Sequence, residues 1–148
     1  MTKNEIYNSI GAILSKYGFE KIKPAMWGKK VCSNMFYQID VEKAKTADFY
    51  YINILLKDEK NLAITNTLRP EDILGIDRSE LVKLMEIKDI AEKDLSQWRN
   101  SAEKIFIEIV KFLQDELNSW DSLVKLYKSK KIKSLMITSY YYDYINMV

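Results

Sequence analysis

Residues 35–68 read MFYQIDVEKAKTADFYYINILLKDEKNLAITNTL, three apolar runs separated by two polar ones. In the first run Met35, Tyr37, Ile39 and Val41 are apolar or aromatic, while the alternate positions after Phe36 turn polar at Gln38, Asp40 and Glu42. A period of two is the mark of a strand with one face on the core and one in water. Lys43 to Asp48 is polar and reads as a connection. The second run, Phe49 to Leu56, is apolar at nearly every position and rich in aromatic and β-branched residues, which predicts a strand buried on both faces. Lys57 to Asn61 reads as a turn, and Leu62 to Leu68 as a third strand returning beside the second. Links this short join antiparallel neighbours.

Upstream, Thr2 and Glu5 are spaced as a capping box. Ile6, Ile10, Ile13, Leu14 and Tyr17 follow at helical intervals, so residues 3 to 17 are expected to form an amphipathic helix closed by a left-handed Gly18. Phe19 to Lys23 and Met26 to Lys30 are short extended candidates on either side of Pro24, which cannot donate to a ladder and so belongs at an edge or a turn. Trp27 is expected to anchor this piece to the core, with Gly28-Lys29-Lys30 turning into the sheet.

Downstream, Arg69-Pro70-Glu71-Asp72 breaks the sheet, Gly75 ends a short link, and Asp77 to Glu80 reads as a second capping box before a short helix from 78 to about 87. The longest helical pattern runs through Leu95, Trp98, Ala102, Ile105, Ile109, Phe112 and Leu117. Its one polar stripe, Lys104, Glu108, Lys111 and Asp115, alternates in sign. So wide an apolar arc marks a helix buried against more than one neighbour, here expected across the sheet. Ser119 caps a further helix, lysines cluster at 125, 128, 130, 131 and 133, and the spacing of Leu135, Ser139, Tyr142 and Ile145 predicts a last helix although the tyrosines favour strand.

The pattern Lys16-Tyr17-Gly18-Phe19 at a helix end, the Trp27 that follows, two strands and then Phe49-Tyr50-Tyr51-Ile52-Asn53-Ile54 resembles the bacterial domain-of-unknown-function family numbered 4304, over roughly residues 1 to 60 and in outline beyond. The resemblance implies a compact α+β protein and assigns no catalytic residue.

Composition narrows the chemistry. The chain has 148 residues, no histidine, one cysteine and ten tyrosines, with a net charge of +2. The length suits one α+β domain, residues 1–148: an N-terminal helix, an antiparallel sheet of three to five strands, and a helical C-terminal half packed on the sheet. Without histidine the commonest general base and metal ligand are missing, and a single thiol builds no thiolate zinc site. Lone Cys32 rules out an internal disulfide framework. With no signal-like start and no apolar run near the ~20 residues of a membrane helix, a cytoplasmic, non-membrane protein is expected. No phosphate-binding glycine loop or nucleophile elbow occurs, no cofactor or metal is implied, and a non-enzyme is expected.

Four features invite a function, each beside a plainer reading. The lysines at 125–133 are of a kind that meets phosphates, yet they lack interleaved arginine and any nucleic-acid motif; a solvated helix end explains them. Asp40, Glu42 and Asp48 form a set of carboxylates near the sheet, two of them on one strand face, where charge also discourages edge aggregation. Asn53 interrupts an apolar strand and needs partners, tying sheet to loop or touching a ligand. Cys32 has Lys29 and Lys30 nearby but no histidine to activate it, so a small buried hydrophobe is its expected role.

The leading expectation is a non-catalytic binding protein that recognises another protein, of toxin-antidote or defence-inhibitor type, through a surface drawn from Trp27, Tyr37, Asp40, Glu42, Tyr51 and Asn53. The alternative is a small-molecule binder with a pocket between the sheet and the long helix near Trp27, Tyr51 and Asn53. A carboxylate-based enzyme is the third reading.

Overall fold

The structure, a computed structural model, describes residues 2–46, 49–85 and 95–147. Helix α1 (Lys3–Ser15) starts at the expected box: the Thr2 hydroxyl accepts from the Glu5 N–H at 3.2 Å, and the Glu5 carboxylate accepts from the Thr2 N–H at 2.8 Å. Its inward side is Ile6, Ser9, Ile10, Ile13 and Leu14. The helix ends two residues earlier than its apolar spacing suggests, and Gly18, with φ +84°, turns the chain so that the Phe19 N–H reaches the Leu14 carbonyl at 3.2 Å.

Four strands follow, β1 (Glu20–Lys23), β2 (Met26–Cys32), β3 (Met35–Lys43) and β4 (Tyr50–Lys57), in spatial order 1-2-3-4 and all antiparallel. Pro24 and Ala25 turn the first hairpin, so the extended candidates on either side of Pro24 are real strands. Gly28-Lys29-Lys30 is not a turn; it lies inside β2, and the chain turns instead at Ser33-Asn34, with Asn34 at φ 59°. The register pairs Ile39 with Ile54 and Asp40 with Asn53.

Two expectations about the sheet are corrected. Strand β4 is not buried on both faces: Tyr50, Ile52, Ile54 and Leu56 are buried, while Tyr51 is exposed and Asn53, Leu55 and Lys57 are half-buried. Apolar residues on its outer face were enough to hide the alternation in the sequence. Residues 62–68 make no third strand of this run, only isolated bridges from Ala63 to Lys57, Leu68 to Ile54 and Thr65 to Ile137. The cause is divided hydrogen bonding. The Leu56 N–H donates to the Thr65 hydroxyl at 3.1 Å, while the Asn66 N–H turns away to the Met136 carbonyl at 2.9 Å and the Ile64 carbonyl accepts from the Thr138 N–H at 3.0 Å.

The helical half begins with α2 (Pro70–Leu74), a turn of helix where the sequence pointed only to a break; Pro70 stands near its start, where no backbone N–H is required. Gly75 closes it at φ 67°. In α3 (Arg78–Met85) only half of the second capping box forms, the Asp77 carboxylate accepting from the Glu80 N–H at 2.9 Å. The expected end of this helix, at about 87, lies outside the described residues. Helix α4 (Leu95–Glu116) buries Trp98, Ala102, Ile105, Phe106, Ile109, Val110 and Leu113, and its stripe Lys104, Glu108, Lys111 and Asp115 is solvated, as the spacing requires. Helix α5 (Trp120–Ser129) is capped by Ser119, whose hydroxyl accepts from the Ser122 N–H at 3.1 Å. Only Tyr142–Met147 forms the last helix, α6; the Leu135 to Tyr141 part of the expected helix is turns and the bridge at Ile137.

Helices α1 and α4 pack side by side on one face of the sheet. Tyr7 of α1 meets Tyr50 edge-on at 6.0 Å, and Tyr37 of β3 reaches the end of α4. One apolar cluster runs from Ile6 through the sheet to Ile145. The chain is therefore α+β: an N-terminal helix, a four-stranded antiparallel sheet and a helical C-terminal half packed on it. Among the described residues no helix is long and apolar enough to cross a membrane.

Candidate functional site: the open face of the sheet

Strand parity divides the six expected surface residues. Trp27 pairs with Ile39, and Tyr37 with Leu56, on the side covered by the helices. Both are buried, Trp27 beside Gly11 of α1 and Tyr37 with its hydroxyl 2.7 Å from the carbonyl oxygens of Leu113 and Leu117. They are core residues, and their assignment to a binding surface is corrected. Asp40, Glu42, Tyr51 and Asn53 alternate with that set and lie on the opposite face. Trp27 and Tyr51 thus stand on opposite sides of the sheet and cannot line one pocket between the sheet and α4. A cleft of about 290 Å³ does touch Trp27, but it lies between α1 and the β1–β2 hairpin.

Asp40 is the centre of the open face. Its register neighbours are Met26 on β2 and Asn53 on β4. One carboxylate oxygen accepts from the Asn53 amide at 2.8 Å, and the other accepts from the Gln38 amide at 3.1 Å. Asn53 therefore ties strand to strand, not sheet to loop. Gln38, which the sequence did not single out, is buried although its strand face is the open one. It borders a hollow of about 190 Å³ between Ile22, Phe36, Lys57 and Asn61.

Apolar and aromatic groups flank this polar centre. On the β1 side Ile22 is 56 % exposed and lies across Gly28. A Cβ at position 28 would stand 2.7 Å from the Ile22 Cδ1, so glycine permits the approach. On the β4 side Tyr51, 39 % exposed, packs against Phe49 at 4.6 Å. The Arg78 guanidinium sits 5.4 Å from the Tyr51 ring and 6.0 Å from that of Phe49, and 3.8 Å from a Glu71 oxygen. Arg78 comes from 27 residues away in sequence (78 − 51), and no local pattern announces it. Ile22 was legible, as the one apolar residue in Glu20-Lys21-Ile22-Lys23.

The other candidates separate in the same way. Glu42 is exposed beside Tyr51, whereas Asp48 lies outside the described residues. Among the described residues no group of three metal-binding side chains is assembled. Lys29 donates to the Tyr17 carbonyl at 2.6 Å and stands over the Phe19 ring, so its charge is engaged at the end of α1. Cys32 is half-buried and packs against the core. Of the tyrosine run, Tyr140, Tyr142 and Tyr144 are exposed. Tyr141 turns in, and its hydroxyl donates to Asp58 at 2.5 Å.

The class these features define is a small α+β protein with one sheet face under helices and the other open. Compared with protein families, curated proteins and solved structures, the chain has no match.

Proposed function

We propose that this chain is a non-catalytic binding protein that recognises another protein through the open face of its sheet, in the manner of an antidote or inhibitor. The observation that carries the reading is the Asp40 carboxylate, held by two amides and flanked by the exposed Ile22 and Tyr51. Each Asp40 oxygen accepts one hydrogen bond within the face and has capacity for a second. A partner presenting Arg or Lys between apolar groups complements this arrangement, and aromatic residues are enriched in such interfaces. The antidote label rests on analogy with small, cofactor-free binding proteins. The lone thiol of Cys32 suits a reducing compartment, so the proposal places the protein in the cytoplasm.

The test is capture from the native host on immobilised wild-type chain, on the Asp40→Lys, Glu42→Lys double variant, and on Tyr51→Ala. A protein retained by the wild type and lost from both variants, with circular dichroism unchanged, supports the reading. Equal retention on all three, or no retained protein, refutes it.

A further inference from the structure

The lysines of 125–133 do not form one patch. Lys125 and Lys131 border a small cleft that also carries Asp115 and Glu116, so their charge is locally balanced. Lys128, Lys130 and Lys133 instead rim a separate groove of about 520 Å³ in which no acidic side chain takes part among the described residues. Its floor is Ile132 and Leu135, both buried, and Met136 forms a lip that is 52 % exposed. No lysine of the rim has a carboxylate within ion-pair distance among the described residues. Three unbalanced cations around an apolar floor exceed what the end of α5 calls for, since the helix dipole acts over the last turn and Lys128 already lies there. Lys130 holds a left-handed backbone, φ 58°, at a position where glycine would be free of strain.

We propose that this groove binds a small amphipathic anion, a carboxylate on an apolar chain, with the chain on Ile132, Leu135 and Met136 and the carboxylate among the three ammonium groups. The volume falls within the roughly 300–1,000 Å³ of small-molecule sites. A nucleic acid fits less well, because the rim lacks arginine and Tyr127 is the single aromatic ring among the described lining residues, where single strands stack on a succession of rings. The site is separate from the open sheet face, so its occupancy is independent of the protein-recognition proposal.

The experiment is calorimetric titration of the full chain with decanoate, with decan-1-ol as the chain without the charge and acetate as the charge without the chain. Decanoate is expected to bind one to one, at least about tenfold more tightly than either control, and to weaken when salt rises from about 50 to about 500 mM. The Lys128→Glu, Lys133→Glu double variant, altered at exposed positions, should lose at least about tenfold in affinity. Met136→Asp should do the same while Asp40→Lys binds as the wild type. Equal binding of decan-1-ol, unchanged decanoate affinity in the double variant, or no saturable binding overturns the proposal. Sedimentation with phosphatidylglycerol vesicles without binding of free decanoate also overturns it and points to a membrane surface instead.

Discussion

Replacing Tyr37 by Phe removes one oxygen atom and tests how the sheet holds α4. Tyr37 is 3 % exposed, and its hydroxyl lies 2.7 Å from both the Leu113 and the Leu117 carbonyl oxygens. The two acceptors differ. Leu113 already accepts the Leu117 N–H at 2.9 Å, within the normal helical ladder. Leu117 follows the last residue of α4, Glu116, where a carbonyl has no donor further along the same helix. The tyrosine supplies that donor from across the core. A net hydrogen bond contributes about 0.5–1.5 kcal/mol, but a buried carbonyl left without a donor costs about 1–3 kcal/mol. Phenylalanine keeps the ring, and with it the stack on Phe19 at 6.1 Å, so no cavity is added.

Tyr37→Phe should therefore destabilise the fold by about 1–3 kcal/mol, with the higher part of the range if no water reaches Leu117. At about 3 °C per kcal/mol for a chain of this size, the melting temperature should fall by about 3–9 °C. Urea unfolding followed by circular dichroism should show a lower midpoint at unchanged slope, because the exposed area is the same. A loss under about 0.3 kcal/mol would refute the account, showing that the hydroxyl does not cap α4. Since Tyr37 lies on the covered face, partner capture by the open face should survive the change.

Two further predictions concern the same core and the neighbouring turn. Ile109→Ala, at a fully buried position of α4, should cost about 2–5 kcal/mol in urea unfolding, and a loss under about 1 kcal/mol would mean that this side of the helix does not face the core. Asp58 accepts from the Tyr141 hydroxyl and from the Lys60 and Leu62 N–H groups, chiefly the first, which hold its carboxyl below the ordinary 3.8. A folded value below the unfolded one means stability that is complete above 3.8 and is lost as pH falls through the lower folded value, and Tyr141→Phe should flatten that acid limb. Tyr141 is pushed up to about 12 by burial and by Asp58, so its contribution is complete below 10 and is lost as pH rises from 10 through about 12. An alkaline limb unchanged in Tyr141→Phe would contradict this.

What could be read from the sequence was periodic or local. Met35, Tyr37, Ile39 and Val41 gave the covered side of β3, Thr2 with Glu5 gave the start of α1, and the stripe Lys104 to Asp115 gave the solvated side of α4. What could not be read depends on contacts between distant residues. The failure of 62–68 to continue the sheet requires Met136 and Thr138 to take its backbone bonds, about 70 residues away, and apolar alternation carries no trace of that. The fate of Tyr37 was partly legible. It shares parity with Ile39, so grouping it with Tyr51 gave weight to residue type over strand phase. The lysines read as one cluster because they are close in sequence, and only the fold assigns Lys125 and Lys131 to an acidic cleft and the other three to an apolar groove.

The same phase argument bears on how the open face would work. Asp40 and Asn53 meet because the β3–β4 register puts them side by side, and Gln38 stands two residues before Asp40 on the same strand. Three polar side chains on adjacent strand positions hold one another in place before any partner arrives. Side-chain ordering costs about 0.5–1.5 kcal/mol per immobilised group on association, and a group already fixed avoids much of it. A fixed acceptor between Ile22 and Tyr51 is therefore suited to recognition. If the network orders the face, Gln38 and Asn53 support a partner through the orientation they give Asp40, even where they do not touch it.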